Sequence, residues 1–304
     1  MRFGILQKYP NLRRLSEKAS AYAALCRPFT LLGAFLSGSG MDIAFSRMQA
    51  GSFNIFHAIS LGLTLAFLQA GGQVMNQSTA EEVAIDKLNG KTYRPTVDGR
   101  IALKQAMITS VILYLSGILL AFRLSPAYGL FSMLIAFFAA GYTLPPLRMK
   151  KRFLLNNIWQ GVARGMLPVV YVSLAYPEYL NLALPYGFVL AIWVTANQTS
   201  KDFGDEVGDR AYGIKSLPVT LGPRRALVFM AVTTLCSFSL LNALILKGYI
   251  PRALTWVNLL SLPSALILYG LIRGLKFKYG ENNLSWICFY GTLGLWYILP
   301  TLLI

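Results

Sequence analysis

Asp202, Asp205 and Asp209 stand at i, i+3 and i+7 in the stretch Asn197-Gln-Thr-Ser-Lys201-Asp202-Phe-Gly-Asp205-Glu206-Val-Gly-Asp209. On one unbroken helix that spacing presents all three carboxylates on one face. An earlier stretch echoes it: Asn76-Gln-Ser-Thr-Ala80-Glu81-Glu82-Val-Ala-Ile-Asp86. Both open on Asn-Gln and two hydroxyl residues, and both end in carboxylates around a valine. Of the 12 acidic residues in the chain, eight lie in or just after these stretches (Glu81, Glu82, Asp86, Asp98, Asp202, Asp205, Glu206, Asp209), although the net charge is +16. Like charges held together repel unless a cation sits between them. The bland reading is two solvated acidic loops; the sharper one is two halves of a single divalent-metal site.

Oxygen-only donors select hard cations, and Mg²⁺ commonly bridges carboxylates to substrate phosphates. Basic residues follow each acidic set: Lys87, Lys91 and Arg94 after the first, Arg210 and Lys215 after the second. Carboxylates for metal beside cations for phosphate equip a site for a diphosphate. Above an apolar cavity they suit a lipid diphosphate. A cation or lipid-phosphate transporter is the alternative of another class. Sites near the bilayer midplane would mark it, whereas both acidic sets fall at one surface.

The elements that must hold these residues are membrane helices. The chain is 55% hydrophobic and 13% charged, with a mean hydropathy of +0.53. Crossing a bilayer takes about 20 apolar residues. Nine continuous runs approach that: 20–41, 53–75, 102–122, 127–143, 155–176, 180–199, 224–246, 253–273 and 284–304. Continuous rather than alternating runs mean helices, not barrel strands. Lys and Arg divide 23 to 4 between alternate loops, with Arg164 inside a span. The expectation is an integral plasma-membrane protein with N-terminus and acidic stretches cytoplasmic. Residues 1–19 read as a cytoplasmic, interfacial segment of a single domain covering 1–304. The acidic stretches end spans two and six, which suggests two parallel four-helix pseudo-repeats plus a ninth helix, facing each other across a central cavity. Cys26, Cys236, Cys288 and His57 have no ligand spacing and read as structural. Arg164 is expected to face the cavity or a carbonyl partner.

Three motifs in order, spread over essentially the whole chain, resemble the UbiA superfamily of intramembrane prenyltransferases. They are Asn76 with Asp86 ten residues on, the loop Tyr142-Thr-Leu-Pro-Pro-Leu-Arg148-Met-Lys150, and Asp205-xxx-Asp209 followed by Gly213-Ile-Lys215-Ser-Leu-Pro218. The resemblance implies an all-α protein of nine transmembrane helices in a ring around a central cavity. It implies transfer of an isoprenyl group from an allylic diphosphate, assisted by Mg²⁺, two ions in all. Asn76, Asp86, Asp205 and Asp209, with Asp202 close by, would be metal or diphosphate ligands, and Asp86, Asp205 and Asp209 the catalytic ones. Lys91, Arg94, Lys215, Tyr142, Arg148, Lys150 and Arg27 (of Arg27-Pro28) would hold the diphosphate. The ten-residue gap departs from the ubiquinone-type Asn-xxx-Asp-xxx-Asp and looks like the menaquinone-type enzymes, whose carboxylate position is Ala80 here; Glu81 or Glu82 would substitute, with Glu82 taken as the ligand. The expected acceptor is then a hydroxylated aromatic such as dihydroxynaphthoate, with geranylgeranylglyceryl phosphate the alternative. Membrane lipids complete the partners, and no nucleic acid is expected. On a continuous helix Asp86 would lie about 280° from Asn76, so the chain must bend near Asn76–Thr79.

Overall fold

The computed structural model describes residues 10–274 and 284–304. The expectations for residues 1–9, Lys276 and Lys278 lie outside these. In chain order the helices are α1 (Pro10–Cys26), α2 (Pro28–Ala50), α3 (Ile55–Met75), α4 (Ala80–Leu88), α5 (Leu103–Leu124), α6 (Pro126–Thr143), α7 (Leu155–Gly161), α8 (Leu167–Ser173), α9 (Leu180–Asn197), α10 (Glu206–Ala211), α11 (Leu217–Leu221), α12 (Pro223–Leu246), α13 (Ser261–Arg273) and α14 (Leu284–Leu303). Among the described residues, eight helical segments are long and apolar enough to cross a membrane: α2, α3, α5, α6, α12 and α14, with α9 and α13 lengthened by adjoining 3-10 turns. Leu119, Leu130 and Leu235 stand 63%, 64% and 67% exposed, which is costly in water and neutral in lipid. The chain is an all-α membrane protein.

Two expected boundaries move, each at a proline. The run 20–41 is split, because Arg27 adopts φ 54 before Pro28. A residue preceding proline is disfavoured in the α region, so α1 ends and α2 starts afresh. The run 155–176 becomes α7, a π turn (Val162–Met166) and α8. Pro168 has no N–H to give to the carbonyl of Arg164 four residues back. The N–H of Leu167 reaches instead to the carbonyl of Val162, and the Tyr297 hydroxyl donates to the carbonyl of Arg164.

The helices close a ring. α14 packs on α2, α2 on α3, and α3 on both α5 and α6; the α7–α8 unit packs on α9, α9 on α12, and α13 on α14. Aromatic contacts tie α9 and α12 to α14, with Trp193 stacked on Phe289 at 5.6 Å and Phe238 on Trp296 at 5.6 Å. Asp42 is fully buried, and its Oδ1 meets His57 Nδ1 at 2.9 Å and accepts from the Tyr176 hydroxyl at 2.8 Å. That links α2 to α3 and to the turn after α8.

Gly161 at the end of α7 and Gly165 in the π turn let this backbone touch that of α9. A Cβ on Gly161 would sit 2.2 Å from Thr195 Oγ1, and one on Gly165 would sit 2.6 Å from Ala191 Cα. Small residues at i and i+4 are the usual means of such close approach in membranes. Gly165→Ala is therefore expected to cost about 1–3 kcal/mol, read as a lowered melting temperature of the purified protein in detergent.

Candidate active site

Both acidic stretches break after a long helix. α3 ends at Met75, and Asn76 caps it with φ −62. Thr79 then restarts the chain, its Oγ1 accepting from the Glu82 N–H at 3.3 Å. This is the bend that the angular argument requires. The second stretch corrects the expectation of one unbroken helix. α9 passes into 3-10 turns (Gln198–Gly204), Asp205 lies between, and α10 begins at Glu206. The break lets α10 dock on α4. A Cβ on Gly208 would lie 2.6 Å from the carbonyl oxygen of Ile85, and the Gly208 N–H donates to Asn89 Oδ1 at 2.7 Å. Only glycine permits that approach, and it joins the two stretches.

The joined carboxylates are interleaved with cations. Lys91 Nζ lies 2.5 Å from Asp205 Oδ1 and 3.8 Å from Asp86 Oδ1. Arg94, buried, pairs with the other oxygen of Asp86. Burial opposes ionisation of Asp205, but the ammonium groups of Lys91 and Lys201 outweigh it and hold the carboxyl down to about 2. Asp209 goes the other way. Burial, with the charge of Asp202 added, pushes it up to about 7. Lys150 pairs with the buried Glu82, and Lys201 with Asp202 at 2.8 Å. Lys201 also donates to the Tyr142 hydroxyl at 3.4 Å. Glu81 faces outward to Arg148 at 2.6 Å and Lys151 at 2.8 Å.

Beneath this network lies a cavity of about 360 Å³. Of the residues expected at the site, Arg27, Asn76, Asp86, Lys91, Arg94, Tyr142, Lys150 and Asp205 line it. Glu82, Asp202 and Asp209 are buried beside it, each one ion pair or electrostatic neighbour away from a lining residue. Arg148 is turned to Glu81, and Lys215 is exposed, away from the cavity. The walls are apolar and aromatic, with Leu65, Leu68, Ile135, Phe138, Trp286 and Leu293 among them. Sequence reasoning missed Lys201, whose place beside Asp202 could have been read as phosphate equipment. It also missed Gln73, which accepts from Arg27 at 3.0 Å, and the Asn89–Gly208 clamp, which had no local signal. Arg164 lines the cavity, as expected of a charge inside a span.

Among the described residues no three His, Cys, Asp or Glu side chains stand clustered as a ready metal site. The donor set nevertheless fits a hard cation. The reachable ligands are all oxygens, Lys91 places a cationic group between the two stretches, and Glu82 Oε1 is buried without a hydrogen-bond partner.

Residues 28–298 match the UbiA prenyltransferase family. The chain belongs to this family. It is a membrane prenyltransferase. It is 29% identical over 259 residues to digeranylgeranylglyceryl phosphate synthase of Ignicoccus hospitalis, covering 82% of this chain and 81% of that one. It is 29% identical over 262 residues to the synthase of the same name from Methanothermobacter thermautotrophicus, covering 83% and 86%. In fold it resembles a solved digeranylgeranylglyceryl phosphate synthase, with TM-score 0.62 at 21% identity over 95% of this chain and 100% of that one. It also resembles a UbiA homologue from Archaeoglobus fulgidus bound to GPP and Mg²⁺, with TM-score 0.66 at 18% identity over 93% and 98%. These relatives overturn the likeness to the menaquinone-type enzymes and, with it, the aromatic acceptor. The ten-residue gap misled because Asn76 and Asp86 line the cavity beside the Lys91 and Arg94 cations, where their spacing says nothing of the acceptor.

The two neighbouring glutamates of α4 give a sharp comparison. Glu82→Ala leaves Lys150 buried without its carboxylate and is expected to lower turnover by roughly 100-fold. Glu81→Ala removes a partly exposed pairing and should cost less than roughly 5-fold. Steady-state turnover of the two purified variants checks this, with equal losses counting against the placement of Glu82.

Proposed function

We propose that this protein transfers a geranylgeranyl group from its allylic diphosphate to the free hydroxyl of geranylgeranylglyceryl phosphate. The observation that carries the reading is the Asp86–Lys91–Asp205 bridge at the polar end of an apolar cavity. The acceptor is supported by the relatives, which are named for making digeranylgeranylglyceryl phosphate. The metal is supported by the Archaeoglobus fulgidus homologue bound to GPP and Mg²⁺.

Asn76, Asp86, Asp205 and Asp209, with Glu82 and Asp202 behind them, would hold Mg²⁺, two ions in all. When bound, the metal supplies positive charge that stabilises the departing diphosphate. Lys91, Arg94, Lys150 and Lys201 bind the remaining phosphate oxygens, with Tyr142 beside Lys201 and Arg27 at the rim. The allylic C–O bond breaks with its electron pair left on the diphosphate. The allylic cation then lies among the apolar walls, where Phe138, Trp286 and Tyr290 offer aromatic faces. Closure by those walls keeps out water that would trap the cation. The acceptor hydroxyl oxygen forms the new C–O bond, and its proton leaves to the freed diphosphate.

The protein is one membrane-embedded domain of the plasma membrane. The composite segment 155–173 crosses the membrane as well, which brings the eight long spans to nine, and the polar end of the cavity faces the cytoplasm, by the distribution of Lys and Arg. The two long helices that each break into an acidic stretch and a short helix, α3–α4 and α9–α10, are the matching arms of two parallel repeats.

Incubation of the purified protein with geranylgeranyl diphosphate and geranylgeranylglyceryl phosphate is expected to give the diether phosphate. Activity should vanish in excess EDTA, return with Mg²⁺, and return less with Ca²⁺, which prefers more ligands at longer distances. Undiminished turnover in chelator, or transfer to dihydroxynaphthoate alone, would contradict the proposal.

A further inference from the structure

Arg164 differs from four of the other cations at the cavity. Lys91, Arg94, Lys150 and Lys201 each carry a carboxylate partner. Among the described residues Arg164 has none within ion-pair distance. Its side-chain partners are both neutral: the Tyr290 hydroxyl at 2.9 Å and Gln198 Oε1 at 3.3 Å. Both bonds use Nη1. The Nε and Nη2 donors form the edge of the guanidinium that grips phosphate in a fork. They have no protein partner among the described residues, and the residue lines the cavity. An uncompensated charge within an apolar span is expensive and marks function by default.

The placement is also braced. Pro168 frees the carbonyl of Arg164, and Tyr297 takes it up. Tyr290, seven residues earlier on α14, holds the guanidinium. Seven residues are two helical turns, so both tyrosines project from one face of α14. Tyr290 is packed against Trp286, ring centroids 4.6 Å apart, and the Arg27 guanidinium lies 6.0 Å from the Trp286 ring. Backbone and head group of Arg164 are thus both fixed by α14, and little ordering remains for a ligand to impose.

The reaction proposed above brings two anions into one cavity: the donor's diphosphate and the acceptor's own phosphate. The carboxylate-lined end holds the first. A second phosphate placed there would meet like charge from the donor as well as from Asp86 and Asp205. We propose that Arg164, braced by Tyr290 and Gln198, is the seat of the acceptor's phosphomonoester, a second anion site in the same cavity; this rests on the functional reading above. The enzyme thereby distinguishes a phosphorylated glycerol lipid from the corresponding alcohol, and pairs the acceptor's phosphate with a cation that no carboxylate among the described residues neutralises.

The test measures transfer from geranylgeranyl diphosphate to geranylgeranylglyceryl phosphate or to its dephosphorylated alcohol, using the full chain in detergent or liposomes. The wild type is expected to favour the phosphorylated acceptor. R164Q should raise KM for that acceptor by roughly 10- to 100-fold, as loss of a charged hydrogen-bond fork does. It should leave the donor's KM within about twofold, and leave the alcohol's KM unchanged. R164K should recover part of the preference, and Y290F should weaken it less than R164Q. An R164Q protein that keeps the wild-type preference, or that raises donor and acceptor KM alike, overturns the assignment. Should R164Q fail to hold the donor at all, an unaltered preference in both R164K and Y290F overturns it equally. Wild-type protein that transfers to neither glycerol acceptor brings down the functional reading, and this inference with it. That failure shows in the wild type alone, before any variant is compared.

Discussion

The Lys91 ammonium between Asp86 and Asp205 is the contact on which the rest of the site depends. Two carboxylates from distant parts of the chain cannot share a partly dry site without a positive group between them. Lys91 supplies it from the loop that follows α4, and that loop is itself held by the Lys91 N–H donating to the carbonyl of Asp86 at 2.9 Å. Around this bridge the charges alternate. Arg94 stands behind Asp86, Lys201 beside Asp202, and Lys150 against Glu82. Alternation is what allows so many ionised groups to sit at the mouth of an apolar cavity.

The scaffold below serves that arrangement through close backbone contacts. Gly208 lets α10 lie on α4, so the two acidic stretches meet. Gly161 and Gly165 let α7 and the π turn lie on α9, which ends in the second stretch. The π turn at Val162–Met166 sets Arg164 into the cavity, and α14 fixes it there. Polar chemistry and membrane packing are therefore continuous. The same helix α9 carries the stacked Trp193 of the core and leads through Gln198 to Asp205.

Eight of the nine expected spans were readable because hydropathy decides which segments enter a bilayer. Their two displaced boundaries were readable in principle from Pro28 and Pro168, since each proline denies the chain a specific helical bond or conformation. The bend after Asn76 followed from helix angles, but the choice between Glu81 and Glu82 did not. Adjacent residues on α4 point about 100° apart, and only the packing of the loop around Lys150 says which points inward. The break between α9 and α10 was hidden because the i, i+3, i+7 spacing of the aspartates agrees with a continuous helix. Tertiary docking of Gly208 prevailed over that local pattern. The acceptor was misread for a different reason. On the proposed reading the motifs that stand out in the sequence serve the diphosphate, while other cavity residues such as Arg164, Gln198 and Tyr290 carry no spacing of their own.

The two acidic stretches are proposed to work as one site. A double-mutant cycle on turnover with D86N, D205N and the paired variant tests it most directly, at fixed Mg²⁺ and donor concentration. If the stretches act as a unit, either single change already removes most of what the site contributes, and the double variant should be only slightly worse than each single one. Fully additive losses, with the double variant slower by the product of the two single effects, would show two independent sites and contradict the account.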